Sequence, residues 1–111
     1  MPKDDWVRLR HMLDSAKEAV ELTQGKSRHD LDTNRVLSLA LIRLLEILGE
    51  AANRVTTATR AENPDIPWSQ IVSLRNRLIH GYDTIDLDIL WKILTDDLPL
   101  LIAQLKKIEY P

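Results

Sequence analysis

The stretch that most constrains this chain runs from Val36 to Leu48. Val36, Leu37, Leu39, Ala40, Leu41, Ile42, Leu44, Leu45, Ile47 and Leu48 are apolar, and Ser38, Arg43 and Glu46 interrupt them. On a helix these side chains cover most of the circumference, so the helix has to be covered on several sides. In a chain of 111 residues the cover can come from a central place in a bundle, from a seam with a second copy, or from both. The run is too short and too often interrupted by polar groups to span a bilayer.

Helical periodicity governs the rest of the chain. Trp6, Leu9, Leu13, Ala16 and Val20 make one apolar stripe and predict a first helix over about Asp4–Thr23. Gly25 suits its C-terminal cap, and Ser27 or Asp30 can start the next helix. That second helix is expected over about Asp30–Thr59. Asn63-Pro64-Asp65-Ile66-Pro67 follows as a rigid connection, with Pro67 suited to the first position of a short helix. This short helix, about Ile71–Ile79, carries Ile71, Leu74 and Leu78 inward. Trp68 either packs it onto the bundle or stacks on a base, and packing is favoured. Leu87, Leu90, Trp91, Leu94, Leu98, Leu101, Leu105 and Ile108 predict a last helix over about Asp86–Ile108, capped by Thr84 or Asp86 and kinked at Pro99. There is no strand signal, repeat or low-complexity segment. The expected fold is all-α: a small up-and-down bundle of four main helices in a single domain, residues 1–111.

Composition narrows the function classes. Cysteine is absent, which rules out disulfides and thiolate metal sites and is compatible with a reducing cytoplasm. His11, His29 and His80 match no metal-ligand spacing, so no metal is expected. The glycines stand at positions 25, 49 and 81 and form no phosphate loop. The serines lack a nucleophile elbow. Asp96-Asp97 could bind a cation, but adjacent acids on a helix point in different directions and are read as solvent-facing. Met1-Pro2-Lys3-Asp4-Asp5 leads into no apolar segment, so no secretory leader is expected. The net charge of −2 is a poor overall footprint for nucleic acid, so any RNA contact must be local. Ile66–Tyr82 offers such a locality: Arg75, Arg77 and His80 without an acid.

Within that segment Leu74-Arg75-Asn76-Arg77-Leu78-Ile79-His80-Gly81-Tyr82-Asp83 concentrates the reactive groups. A helix through Ile71–Ile79 would end near His80, with Gly81 free to adopt a left-handed conformation. The imidazole would then sit at the negative end of the helix dipole. Asn76, four residues earlier, would share its face and orient the ring. Arg75 lies about 140° around the helix from His80, within reach of a long side chain. The plainer alternative is a histidine that caps the last carbonyls beside arginines on a solvated face. Arg43, Glu46, Glu50 and Asn53 step by three, four and three along the second helix. They are either an Arg43–Glu46 pair on a wet face or a polar wall toward Arg75 and His80.

Arg75, His80 and Tyr82 spell R-x4-H-x-Y. With the surrounding IPWSQIVSLRNRLIHGYD, LLEILGEAANR (Leu44–Arg54), NPDIPW (Asn63–Trp68) and DLPLLIAQL (Asp97–Leu105), the chain closely resembles the HEPN superfamily. Within it, the likeness is to the HepT-type toxins of HEPN–nucleotidyltransferase pairs, over nearly the whole length.

The resemblance implies a HEPN-like, dimeric bundle and a metal-independent, cofactor-free endoribonuclease. RNA carries its own nucleophile, the 2′-OH. The enzyme need only move protons and steady charge at phosphorus. His80 would be the acid or base and Arg75 would hold the phosphate, these two being the expected catalytic residues. Asn76, Glu46 and Glu50 would support them, and Arg77 would contact flanking RNA or pair with an acid of the last helix. A homodimer would bring two motifs together to supply both acid and base. The resemblance further implies a type VII-like toxin–antitoxin pair in the cytoplasm. There, a cognate MNT-type nucleotidyltransferase antitoxin would transfer AMP to Tyr82, which otherwise reads as a packing tyrosine. Two readings compete. One is a non-catalytic helical binding partner of a nucleotidyltransferase. The other is a plain helical adaptor, for which the motif would have to be accidental.

Overall fold

Helix boundaries follow the capping residues more closely than the hydrophobic pattern. The computed structural model describes residues 1–81 and 84–109. Helix α1, Lys3–Thr23, buries Leu9, Met12, Ala16 and Ala19. It ends at a turn where Gly25 has φ +73°, the positive value that its lack of Cβ permits. Ser27 then starts α2, Arg28–Thr33, its N–H donating to Asp30 Oδ2 at 2.7 Å.

The expected long helix Asp30–Thr59 is three helices instead. Asn34 takes an extended conformation, and its Oδ1 accepts the Leu37 N–H at 3.0 Å, starting α3, Arg35–Arg54. A second break falls at Val55-Thr56, before α4, Thr57–Glu62. Thr56 N–H (3.1 Å), Thr56 Oγ1 (2.6 Å) and Thr59 Oγ1 all donate to the carboxylate of Asp5, which is buried in α1. Those hydrogen bonds draw the Thr56 backbone out of α3. Burial pushes the Asp5 carboxyl up, but the Thr56 and Thr59 hydrogen bonds outweigh it and hold the group below its ordinary value.

The motif helix is also divided. Pro67 stands as the N-cap of α5, Trp68–Val72, one position earlier than expected. Ser73, at φ −91° and ψ 7°, separates it from α6, Leu74–Leu78. As expected, Ile71, Leu74 and Leu78 are buried, and so is Trp68, whose Nε1 donates to Asn63 O at 3.0 Å. Packing is therefore the role of Trp68.

The last helix begins where Asp86 caps the Asp88 and Ile89 N–H groups. It runs as α7 (Leu87–Lys92), a π-helical turn (Ile93–Asp97) and α8 (Leu98–Lys106). Pro99 has no N–H to return to the preceding turn. The helix absorbs this by widening, with the Leu98 N–H donating to Ile93 O, five residues back.

Helix α3 lies along α1 on one side and meets α5 and α6 on another, while α8 closes against α1. Leu41, Leu45, Leu48 and Ala52 are its buried face. The central position expected for this helix therefore holds, but its cover is incomplete: Val36 is 78% exposed and Leu39 50%. Among the described residues no strand forms, and the one isolated bridge joins Ile79 to Ile85. No helix among them is long and apolar enough to cross a membrane.

Candidate functional site

The site is assembled where α3 and α5 come unusually close. Gly49 makes this possible, since a Cβ there would stand 3.1 Å from Ile71 O and 3.7 Å from Val72 O. The carbonyl end of α5 thus rests on the bare backbone of α3, and α6 starts beside it. A groove of about 170 Å³ opens at this junction, lined by Glu46, Gly49, Glu50, Asn53, Val72 and Arg75. The polar stripe of α3 does form a wall facing Arg75.

The charges in this groove are unevenly shared. Arg43 reaches both acids of the wall, at 3.3 Å from Glu46 Oε2 and 3.6 Å from Glu50 Oε1. Arg75 is exposed and forms no ion pair among the described residues. Its guanidinium remains available to an anion. Arg77 behaves differently. It points to the other flank of α6, half-buried, with Nη2 3.5 Å from Asp97 Oδ2. Of the two roles expected for Arg77, pairing with an acid of the last helix is the one present in the fold.

His80 is not at a helix end. Helix α6 stops at Leu78, and Ile79 is extended, pairing with Ile85. The His80 N–H donates to Thr84 O at 2.7 Å, and the Asp86 N–H donates to Leu78 O at 2.8 Å. These bonds hold the two ends of this segment together, and Gly81 at its start has φ +102°. The positive φ expected of Gly81 is present, but it serves this turn and not a helix cap. The imidazole is exposed and does not line the Arg75 groove. Asn76 is exposed too, and it makes no hydrogen bond to His80 among the described residues. The helical spacing that would have aligned them ends before the histidine. Tyr82, the expected modification site, lies outside the described residues.

Two contributors, Gly49 and the particular acid Asp97, escaped the sequence reading, whereas the polar stripe already contained Arg43. Gly49 carried a signal, a lone glycine inside a strongly apolar helix. The reach of Arg43 to Glu50 followed from their shared stripe. The placement of Asp97 had no local signal, because it depends on the packing of the last helix against α6.

Residues 12–108 match the family model described as ribonuclease HepT-like. A protein of Methanocaldococcus jannaschii named "Putative RNase" is 40% identical over 91 residues, 82% of this chain and 84% of the relative. A Thermococcus cleftensis protein named "Probable ribonuclease HepT" is 33% identical over 101 residues, 87% of this chain and 92% of the relative. A second M. jannaschii protein, named "Gamma-glutamylcyclotransferase and putative RNase", is 34% identical over 108 residues, but this chain spans only 49% of its length. No solved structure matches the chain. With a family match over residues 12–108 and a relative 40% identical, the chain belongs to the HepT-like ribonuclease family.

Proposed function

We propose that this protein is a metal-independent endoribonuclease that cleaves RNA through its own 2′-hydroxyl. The observation that carries this reading is that Arg75 and His80, both exposed, sit on one short helix-and-turn unit in a chain of the HepT-like ribonuclease family. One imidazole removes the 2′-OH proton as the oxygen attacks phosphorus, and the bond to the 5′-oxygen breaks. A second imidazole, protonated, supplies a proton to that leaving oxygen. Arg75, forked and without an ion pair among the described residues, holds the non-bridging phosphate oxygens as charge accumulates on them. The products are a 2′,3′-cyclic phosphate and a 5′-hydroxyl.

One chain has a single motif histidine, so the second imidazole comes from a second copy in this reading. The exposed Val36 and Leu39 support that. Leu39 lines a groove of about 440 Å³ together with Ile42, Ile85, Leu87, Arg35 and Asp32. The groove adjoins the turn that carries His80, so a two-fold seam here would bring the two turns together.

The expectation of a cytoplasmic toxin paired with a nucleotidyltransferase antitoxin belongs to the same reading. AMP transfer would join the Tyr82 phenol oxygen to the α-phosphorus of ATP and release pyrophosphate. A bulky anion beside His80 would then compete with RNA for Arg75.

The test is cleavage of total RNA in EDTA by purified wild type and His80→Ala, with end-group analysis. Cleavage by wild type alone, leaving cyclic-phosphate ends, is the expected result. No cleavage by unmodified wild-type dimer would overturn the reading in favour of a non-catalytic nucleotidyltransferase partner.

A further inference from the structure

Helix α6 presents Arg75 and leads directly into the His80 turn, yet it is only five residues long. A helix of that length has no stability of its own, so its orientation is set by what it touches. Leu74 and Leu78 are buried beneath it and fix its depth. Their burial fixes which face of α6 points inward, and leaves smaller rotations about its axis to the contacts at its flanks.

The side-chain contact that ties α6 to the last helix is Arg77–Asp97, at 3.5 Å the one ion pair this helix makes among the described residues, while the Asp86 N–H holds the Leu78 carbonyl at its far end. Several features make it more than a surface pair. Both side chains are partly covered, 33% exposed for Arg77 and 42% for Asp97. They stand at the rim of an apolar cavity of about 140 Å³ between α5, α6 and the last helix, floored by Leu48, Ile71 and Ile93. Asp97 also closes the π-helical turn at Ile93–Asp97. A turn bonded five residues back sets Asp97 at a different angle from the one a straight α-helix would give it. The widened turn therefore determines where the carboxylate meets α6.

We infer that Asp97 is a positioning residue for the ribonuclease site: through Arg77 it sets the rotation of α6, and with it the placement of Arg75 and His80. This rests on the ribonuclease reading for its catalytic consequence, but not for its structural one. It also assigns Arg77 to the fold. A phosphate approaching Arg77 would have to displace a carboxylate already paired with it and would meet that carboxylate's charge.

The experiment has two arms, on wild type, Asp97→Asn, Asp97→Glu and Arg77→Ala. The first arm follows the NMR signals of the Arg75 guanidinium and the His80 imidazole. Asp97→Asn is expected to shift or broaden both, although it alters neither residue, and Asp97→Glu to bring them back toward wild type. The second arm is kinetic. Asp97→Asn and Arg77→Ala are each expected to lower kcat by roughly tenfold, as a small misplacement of reacting groups does. KM and the dependence on salt should hold, and Asp97→Glu should recover most of kcat. Unchanged Arg75 and His80 signals in Asp97→Asn would overturn the inference. So would an Arg77→Ala variant that raises KM and loses about one charge of salt slope, since that marks a direct phosphate contact. An inactive wild type would remove the ribonuclease reading and leave the spectra to decide the role of Asp97.

Discussion

Arg75 and Arg77 stand two residues apart on one five-residue helix, and the fold treats them in opposite ways. Arg75 faces α3, where the nearby Glu46 and Glu50 are both engaged by Arg43. Arg77 faces the last helix, where Asp97 holds it. Two residues turn a helix through about 200°, so neighbouring arginines of the same type meet different walls. The difference teaches that a cation is made available for binding less by its own exposure than by what occupies the acids around it. Among the described residues Arg75 has no ion pair, while a third arginine, Arg43, pairs with the acids of the wall it faces.

The sharpest test of that contrast is Arg75→Ala. It should lower cleavage by about 100- to 1,000-fold, the range for losing one donor to a developing oxyanion. The melting temperature should hardly move, because no ion pair among the described residues is broken. Single-turnover cleavage and calorimetry on one preparation check both halves, and a large loss of stability would mean that Arg75 is structural after all.

Asp5 supplies the opposite extreme, a charge the fold depends on. Its carboxylate accepts hydrogen bonds from Thr56 and Thr59 in a buried position. Asp5→Ala is expected to cost about 2–3 kcal/mol, since bonds to a charged group are lost and their donors are stranded. Its pKa is lowered from the ordinary 3.8. The stability it contributes is therefore present at neutral pH and is lost as pH falls below 3.8 through the depressed native value. Denaturant titrations of wild type and Asp5→Ala should converge on acidification. If the gap persists at low pH, the charge is not what stabilises.

Arg77→Ala lies between these. Its ion pair is partly exposed, so its removal should cost less than about 1 kcal/mol of stability. A loss of several kcal/mol in urea denaturation would make the pair a major structural element and blur the distinction from Asp5.

The smallest expected effect turns Arg75 into something like Arg77. Arg43→Ala frees Glu46 and Glu50 to pair with Arg75 and should raise KM for RNA by a few-fold, in keeping with the modest energy of exposed pairs. Adding Glu46→Gln and Glu50→Gln should reverse the rise. If the triple variant is no better than Arg43→Ala, Arg43 contacts RNA itself and does not act through the acids.

What was legible in the sequence was periodic or local. The all-helical class, the first helix, the inward set Ile71, Leu74 and Leu78, the cap at Asp86 and the left-handed Gly81 each follow from spacing or one residue's chemistry. So does the wall of Glu46, Glu50 and Asn53, because residues three and four apart share a helix face. The motif's likeness to HepT-type proteins was legible as well, and the family match bears it out.

The remainder depended on contacts that no local window contains. The break at Val55-Thr56 is made by a carboxylate 51 residues earlier in the chain, as the Thr56–Asp5 hydrogen bond shows. The helix ends at Leu78 and not at His80 because Ile79 pairs with Ile85 and the Asp86 N–H takes the Leu78 carbonyl. That choice moved His80 off the face of Asn76 and into a turn. Asp97, read alone as one of two solvent-facing acids, becomes the partner of Arg77 through the π-helical turn before Pro99. The sequence by itself determined which residues form helices, which faces are apolar and which family the motif resembles, because each is set within a few turns of chain. Only the tertiary structure decided which arginine is free and where the histidine stands, because both depend on which distant acid or backbone group arrives first.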